Sequence, residues 1–393
     1  MYLFRCFVFI SLGLCKIVDC LSVFFDSFFR FYCFFTHHLI EIVNVKQNMR
    51  KLLLIASLAC ILLEVDAQES SPLEISGYAD VYYKYDFAER ENIGTYFAND
   101  QNSISLGMLA LGLKKSTGKA TFVGEVSFGP RGQYLTIPNG DATDADGENS
   151  FHIQNMYVSY DFTEQFNMTA GYMGTFVGYE VISPVANFHY STSYLFGAGP
   201  FQNAGIKATY AFSPKISLMA GLFNDWNVYR DLNGVSHFGA QLAVEPFSGL
   251  SAYLNFLTGS SAGGADNYSS GTLIDLVANY AITDKILLGL NAADYSFKVR
   301  GGYSGIALYP RYAINENIDL GIRAEYFKEK DAFDVENPEF LSFTISAKLK
   351  HGGLSVIPEF RLDNNDQAGF LKRDGESATK QAAQASLALV YGF

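Results

Sequence analysis

The sequence predicts an all-β fold, a transmembrane antiparallel β-barrel of about 16 strands closed on itself. Three observations predict it. Segments of about 9–11 residues in which apolar and polar side chains alternate recur from residue 75 to the end of the chain, and that length crosses a bilayer when the strand is tilted. Short and long connections between the segments alternate strictly. Charged side chains inside the segments lie on the face opposite the apolar one, and no run of about 18 apolar residues follows residue 67 to make a spanning helix.

The chain begins with a leader. Residues 1–48 are rich in Phe and Cys without a recognisable pattern. Lys16, Asp19, Asp26 and Arg30 break every apolar run there before it reaches the ~18–20 residues of a membrane helix, which disfavours an inner-membrane anchor. They read as an extension produced by a start codon assigned too early, with Met49 the initiator. Residues 49–67 have the layout of a secretory signal peptide: Arg50 and Lys51, an apolar run, and the small-residue exit Val65-Asp66-Ala67, with cleavage after Ala67. A lipoprotein processed at Cys60 is the weaker reading, because Ser57 stands where Leu is expected and apolar residues continue beyond the cysteine.

Setting the leader aside changes the composition. All five cysteines (Cys6, Cys15, Cys20, Cys33, Cys60) lie in it, so residues 68–393 offer no disulfide framework, thiol nucleophile or thiolate metal site. Six of the 28 basic and five of the 40 acidic residues also fall there, leaving 22 against 35 and a net charge of −13. Nucleic acid is excluded as a partner on that balance, since phosphate binding calls for a basic footprint.

The first strand sets Ile75, Gly77, Ala79, Val81, Tyr83 and Tyr85 against Ser76, Tyr78, Asp80, Tyr82, Lys84 and Asp86. The clearest later strands are 318–327, 341–350 and 354–363; 103–114 and 284–295 are apolar on both faces, as expected at an oligomer interface or beneath a folded-in loop. Short turns fall at 115–118, 162–165, 213–214, 247–249, 283–284, 315–316 and 351–352. Long connections fall at 88–102, 129–150, 174–201, 224–235, 259–271, 296–302, 328–339 and 364–381. A soluble sandwich or propeller has no reason to alternate in this way, whereas a membrane barrel has short turns on one side and long loops on the other.

Energetics orients the polar face. A Lys or Arg facing lipid at mid-bilayer costs about 2–4 kcal/mol. Asp80, Lys84, Glu125, Lys207, Asp275, Arg311, Asp319, Arg323, Glu325, Lys348, Glu359 and Arg361 are therefore expected to line the lumen. Such a lumen must be wet or each charge must find a partner, and a sixteen-strand barrel is wide enough for an aqueous channel.

The chain ends inside an amphipathic strand, with Leu387, Leu389, Tyr391 and Phe393 on one face. Leu389, Tyr391 and Phe393 resemble the C-terminal assembly signal of bacterial outer-membrane barrels. Together with Ile75-Ser-Gly-Tyr-Ala-Asp-Val-Tyr-Tyr83, they make residues 68–393 resemble the porins of Gram-negative, Bacteroidetes-like bacteria. The resemblance implies an outer-membrane location, docking of the last strand on the barrel-assembly machinery, and a homotrimer. It also implies passive diffusion of small hydrophilic solutes or ions without a cofactor. It makes 174–201 the candidate constriction loop, although Glu180 is the only acid there, beside His189 and several aromatics.

Two constellations bear on selectivity. Arg311, Arg323, Lys348 and Arg361 fall on four consecutive strands, either as an anion-attracting wall or as partners of Asp319, Glu325 and Glu359 on neighbouring strands. Tyr78, Tyr82 and Tyr309 make either an aromatic track for sugars or lumenal filling. Asp144 and Asp146, with Gly147, match part of a calcium loop whose distal Glu is missing, so a solvated acidic loop is the better reading and no metal is expected. His152, His189, His237 and His351 stand in no nucleophile motif, which argues against an enzyme. A non-conducting structural or surface-binding (adhesin-like) barrel and a hydrophobic-solute transporter are the alternatives; the latter usually needs a plug, and about five residues precede the first strand.

Overall fold

Sixteen strands pair edge to edge in one closed antiparallel ring in the computed structural model, which describes residues 71–94, 96–129, 151–228, 231, 234–262, 268–297, 301–330 and 337–393. The first eight are β1 (Glu74–Asp86), β2 (Ser103–Thr117), β3 (Ala120–Phe128), β4 (Phe151–Asp161), β5 (Phe166–Gly174), β6 (Gln202–Ser213), β7 (Ile216–Phe223) and β8 (His237–Val244). There follow β9 (Leu250–Ala262), β10 (Tyr268–Ala281), β11 (Ile286–Phe297), β12 (Gly301–Asn315), β13 (Ile318–Lys330), β14 (Glu339–His351) and β15 (Leu354–Asn365). A two-stranded hairpin, β16 (Phe370–Leu371) and β17 (Ala378–Thr379), interrupts the last long connection before β18 (Gln381–Gly392) closes the ring against β1. The only helix among the described residues, α1 (Tyr194–Ala198), lies in the connection between β5 and β6.

The alternation read from the sequence is the alternation of faces. Leu341, Phe343 and Ile345 on β14 and Leu387, Leu389 and Tyr391 on β18 face outward and are exposed, while Ser342, Thr344 and Ser346 are buried inside. A lipid-facing surface of this kind is stable because every strand finds two neighbours, leaving no open edge in hydrocarbon. The turns at one end are tight; at the other end β9 and β10 extend to Ala262 and Tyr268, and β11 and β12 to Phe297 and Gly301. The connections expected at 259–271 and 296–302 are therefore shorter than the sequence suggests, because ladder hydrogen bonds continue through polar residues beyond the apolar band. Two strand prolines, Pro310 opposite Leu288 and Pro358 opposite Leu387, face outward, and the ladder on their other side skips pairs there. Their missing N–H groups account for the gap.

The C-terminal residue continues the closing seam. Phe393 N donates to Gly77 O at 3.0 Å, and Gly77 N donates to Phe393 O at 3.1 Å. A Cβ on Gly77 would lie 2.8 Å from the Phe393 ring, so glycine is what lets the terminal ring lie on the wall.

Residues 175–201 fold into the barrel rather than over it. Val177, Tyr190, Leu195 and Phe196 are buried, and Val177 and Leu195 share one apolar cluster with Phe223, Leu257, Leu273, Tyr303, Tyr309 and Phe327 of the wall. The core of this protein is thus inside the ring, between the loop and β7–β14. It explains 284–295: the inward residues of β11 lie beneath the loop, with Tyr179 packed over Gly289. Strand β2 differs, for apart from Met108, buried at a register shift, its inward residues are small (Ser105, Gly107, Ala110, Gly112), and its outward face carries Ile104, Leu106, Leu109 and Leu111. Above the infolded loop, Phe97 of the 87–102 connection packs on Phe196 and Phe201, and Ile93 meets Phe370 of the β16–β17 hairpin.

Candidate functional site

The lumen narrows at the infolded loop, and the loop is held there by wall carboxylates. Glu325 on β13 accepts hydrogen bonds from the backbone N–H groups of Tyr194 (3.0 Å) and Leu195 (2.8 Å). Glu359 on β15 accepts from those of Tyr190 (2.9 Å) and Ser191 (3.1 Å). Asp80 on β1 accepts from the Tyr190 hydroxyl at 2.6 Å, and Asp275 on β10 accepts from Gly178 N at 3.0 Å. These carboxyl groups are all buried, and consecutive amides that would otherwise be unpaired at membrane depth are satisfied by their oxygens.

The guanidinium groups complete the clamp. Arg323 is fully buried and donates to Glu180 Oε1 at 2.7 Å and to the carbonyl oxygens of Ser191 (2.6 Å) and Thr192 (3.2 Å). Glu180 accepts in turn from Ser193 N at 2.6 Å. Arg361 donates to Thr192 O at 2.7 Å and grips Asp363 through Nε and Nη2. Ser193 caps the short helix by accepting from Phe196 N at 3.0 Å. The loop's aromatic side chains then find sockets where the wall lacks a side chain: a Cβ on Gly289 would lie 2.5 Å from the Tyr179 ring and one on Gly321 2.2 Å from Phe188.

Two recesses flank the loop. One, of ≈ 380 Å³, lies between residues 179–189 and the inward faces of β10–β14 near the tight-turn end, edged by Arg311, Lys348 and Lys350. Its one wall carboxylate, Asp319, accepts from Arg311 at 2.6 Å and from Lys350 at 3.2 Å. Lys348 donates to the carbonyl oxygens of Val185 (3.1 Å) and Asn187 (2.8 Å). The other recess, of ≈ 210 Å³, lies on the opposite side against β1, β3 and β4, and contains Glu125. That carboxylate accepts from Tyr78 Oη at 3.3 Å and from Asn155 Nδ2 at 2.7 Å. Glu180 borders both. The loop thus separates a basic recess from an acidic one.

The charged residues singled out in the sequence all sit on strands, but they do not share one task. Asp80, Arg323, Glu325, Glu359 and Arg361 are spent on the loop and have little or no access to solvent. Arg311, Lys348 and Asp319 border the basic recess, and Glu125 borders the acidic one. Lys207 is half-buried on β6, and Lys84 is buried with its ammonium unpaired on the other side of the loop from the tight turns. The four bases therefore make no continuous wall. Arg311 takes the cross-strand partner Asp319, whereas Arg323 pairs with the loop's own Glu180 and Arg361 with Asp363 of its own strand. Tyr309 is stacked on Tyr179 at 4.1 Å beneath the loop, far from a track with Tyr78 and Tyr82, which bond Glu125 and Asp100. Sequence reasoning missed Asp363 and Lys350 as functional residues, and the carboxylate-to-amide clamps. No sequence signal marks the clamps, because their donors are backbone amides. Leu389, Tyr391 and Phe393 face outward beside the seam. Asp144 and Asp146 lie outside the described residues.

Comparisons with known proteins agree with this geometry. A family model described as "Putative beta-barrel porin-2, OmpL-like" matches residues 72–393. Among solved structures, the chain is similar to an anion-selective porin from Comamonas acidovorans (13% identity, TM-score 0.56, covering 83% of this chain and 100% of that one). It is also similar to OmpF of Salmonella typhi in complex with daunomycin (14%, 0.56, 82% and 97%). A third similar structure is the trimer form of OmpT from Vibrio cholerae (12%, 0.54, 82% and 99%). At these identities the structures speak to the fold alone. No curated protein matches the chain.

Proposed function

On the premise that this chain belongs to the OmpL-like β-barrel porin family, matched over residues 72–393, we propose that it is a narrow, permanently constricted pore that sieves small hydrophilic solutes. As a member of that family it is a passive channel of the outer membrane. The constriction is our reading, and the infolded loop pinned by Glu325 and Glu359 carries it. A loop bonded to the wall through two pairs of amides is part of the wall, so the opening is of fixed size and does not gate with voltage. Because passage needs no chemical step, a channel rather than an enzyme is the reading the lumen supports.

The outside of the barrel supports assembly as a homotrimer. Among the described residues, Ile104 and Leu106 on β2 are the most exposed large apolar side chains of the strands, at 85% and 66%. A neighbouring copy would bury them, as the trimer form of the Vibrio protein gives precedent for. Insertion would proceed through the barrel-assembly machinery engaging Leu389, Tyr391 and Phe393. Residues 49–67 would serve as a cleaved signal peptide, with 1–48 outside the translated product.

Planar-bilayer recording of the protein purified from outer membranes tests the proposal. Stepwise, voltage-independent openings in groups of three, with small conductance, are expected. A silent bilayer from correctly folded protein, judged by heat-modifiable gel mobility, would move the assignment to a non-conducting structural or surface-binding barrel.

A further inference from the structure

The recess at the tight-turn end combines two properties that a simple sieve does not need. Its rim is basic: Arg311 and Lys350 share the single carboxylate of Asp319, which also lies opposite Lys348 in the β13–β14 ladder, while the Lys348 ammonium donates to two carbonyl oxygens. Glu180, which also borders it, is already paired with Arg323. The rim therefore carries three basic side chains around one carboxylate, Asp319, that is already shared. Its floor is apolar, made by Val277 and Leu287 of the wall and Phe188 of the loop. The Arg311 guanidinium lies over the Phe188 ring at 5.3 Å, so one face of that ring is already paired with a cation at the edge of the cavity. The volume, ≈ 380 Å³, falls in the range of about 300–1,000 Å³ typical of small-ligand pockets.

We infer that this recess is a binding subsite for a small amphipathic anion, a carboxylate carried on an aromatic ring. The carboxylate would take N–H donors from Lys348 and Lys350, whose ammonium groups have donors left over. The ring would displace water from Val277, Leu287 and Phe188. Burying a flat apolar body there is favourable, because the floor is otherwise hydrated apolar surface. A purely inorganic anion would leave the floor wet, and a neutral ring would leave the rim unanswered. The inference deepens the channel reading and rests on it only for the route by which a solute arrives. The subsite makes the pore prefer such anions over equally small neutral solutes.

The test uses protein purified from outer membranes, with channel current in potassium chloride recorded as benzoate is added to both chambers. Acetate and benzyl alcohol are the matched probes for charge alone and ring alone. Benzoate is expected to block the current at concentrations at least about tenfold below either control. Lys350→Gln, at a side chain whose hydrogen bond goes to Asp319 of the wall, is expected to raise the half-blocking benzoate concentration about tenfold. Leu287→Ser is expected to do the same through the floor. Block of each variant is read relative to its own unblocked conductance. Equal block by acetate, equal block by benzyl alcohol, or benzoate block unchanged in both variants overturns the subsite. Should no channels form, the channel reading fails separately. Equilibrium dialysis of benzoate against the folded protein in detergent then decides the subsite: binding lost in Lys350→Gln supports it, and no binding to the parent protein overturns it.

Discussion

Replacing Glu325 by Ala should loosen the constriction. The carboxylate accepts from two consecutive loop amides, Tyr194 N and Leu195 N, and both are enclosed between loop and wall. Its removal leaves two buried donors without acceptors, each costing about 1–3 kcal/mol, so the seated loop is destabilised by about 2–6 kcal/mol relative to a released one whose amides are hydrated. At 1.4 kcal/mol per factor of ten, the ratio of seated to released loop falls by about 30-fold to 10⁴-fold. The barrel itself should stand, because Glu325 lies opposite Ser342 and Ala307 in ladders made by backbone groups. Single-channel recording should then show larger conductance with frequent flicker between two levels, and Glu325→Gln, which keeps one acceptor oxygen, should fall between. An Ala variant that retains heat-modifiable mobility and gives the parent's quiet current would refute the claim that this carboxylate holds the loop.

The remaining predictions concern the sockets, the seam and the leader. Gly321→Val places a side chain where Phe188 now sits; conductance should rise as in Glu325→Ala, while Gly94→Ala, where nothing lies within 4 Å, should leave it unchanged. Gly77→Val should displace the Phe393 ring from the seam and, like deletion of Phe393, reduce the yield of folded protein in the outer membrane by about tenfold or more, measured by heat-modifiable mobility in membrane fractions. The intact mass of the purified protein should correspond to residues 68–393, and a mass that includes any of residues 1–48 would refute initiation at Met49.

Much of the architecture was legible before any coordinates. Alternation with a period of two dictates which side chains face lipid, since a strand has only two faces and a charge on the wrong one is expensive. Leu341, Phe343 and Ile345 against Ser342, Thr344 and Ser346 therefore settled their own orientation, and sixteen such strands with alternating connections left closure as the way to satisfy every edge. The pairing of β18 was equally plain, because an amphipathic strand in hydrocarbon must be paired along both edges.

What the lumen does was not legible. Inward is a direction, and it does not say whether Arg323 meets water, a neighbouring strand or a loop that is 132 residues away at Ser191. The sequence proposes pairs between adjacent strands because local ladders determine them, and Arg311 with Asp319 is such a pair. The partners of Glu325 and Glu359 are backbone amides of residues 190–195, which every sequence possesses and none advertises. Only the path of the loop through the barrel brings them together. The same path decides that Gly289 and Gly321 are sockets rather than flexible points, and that Lys348 and Lys350 edge a recess instead of extending a wall with Arg323 and Arg361. The wall of this protein is set by local periodicity, whereas its opening is set by long-range contacts whose chemistry is common to any folded chain.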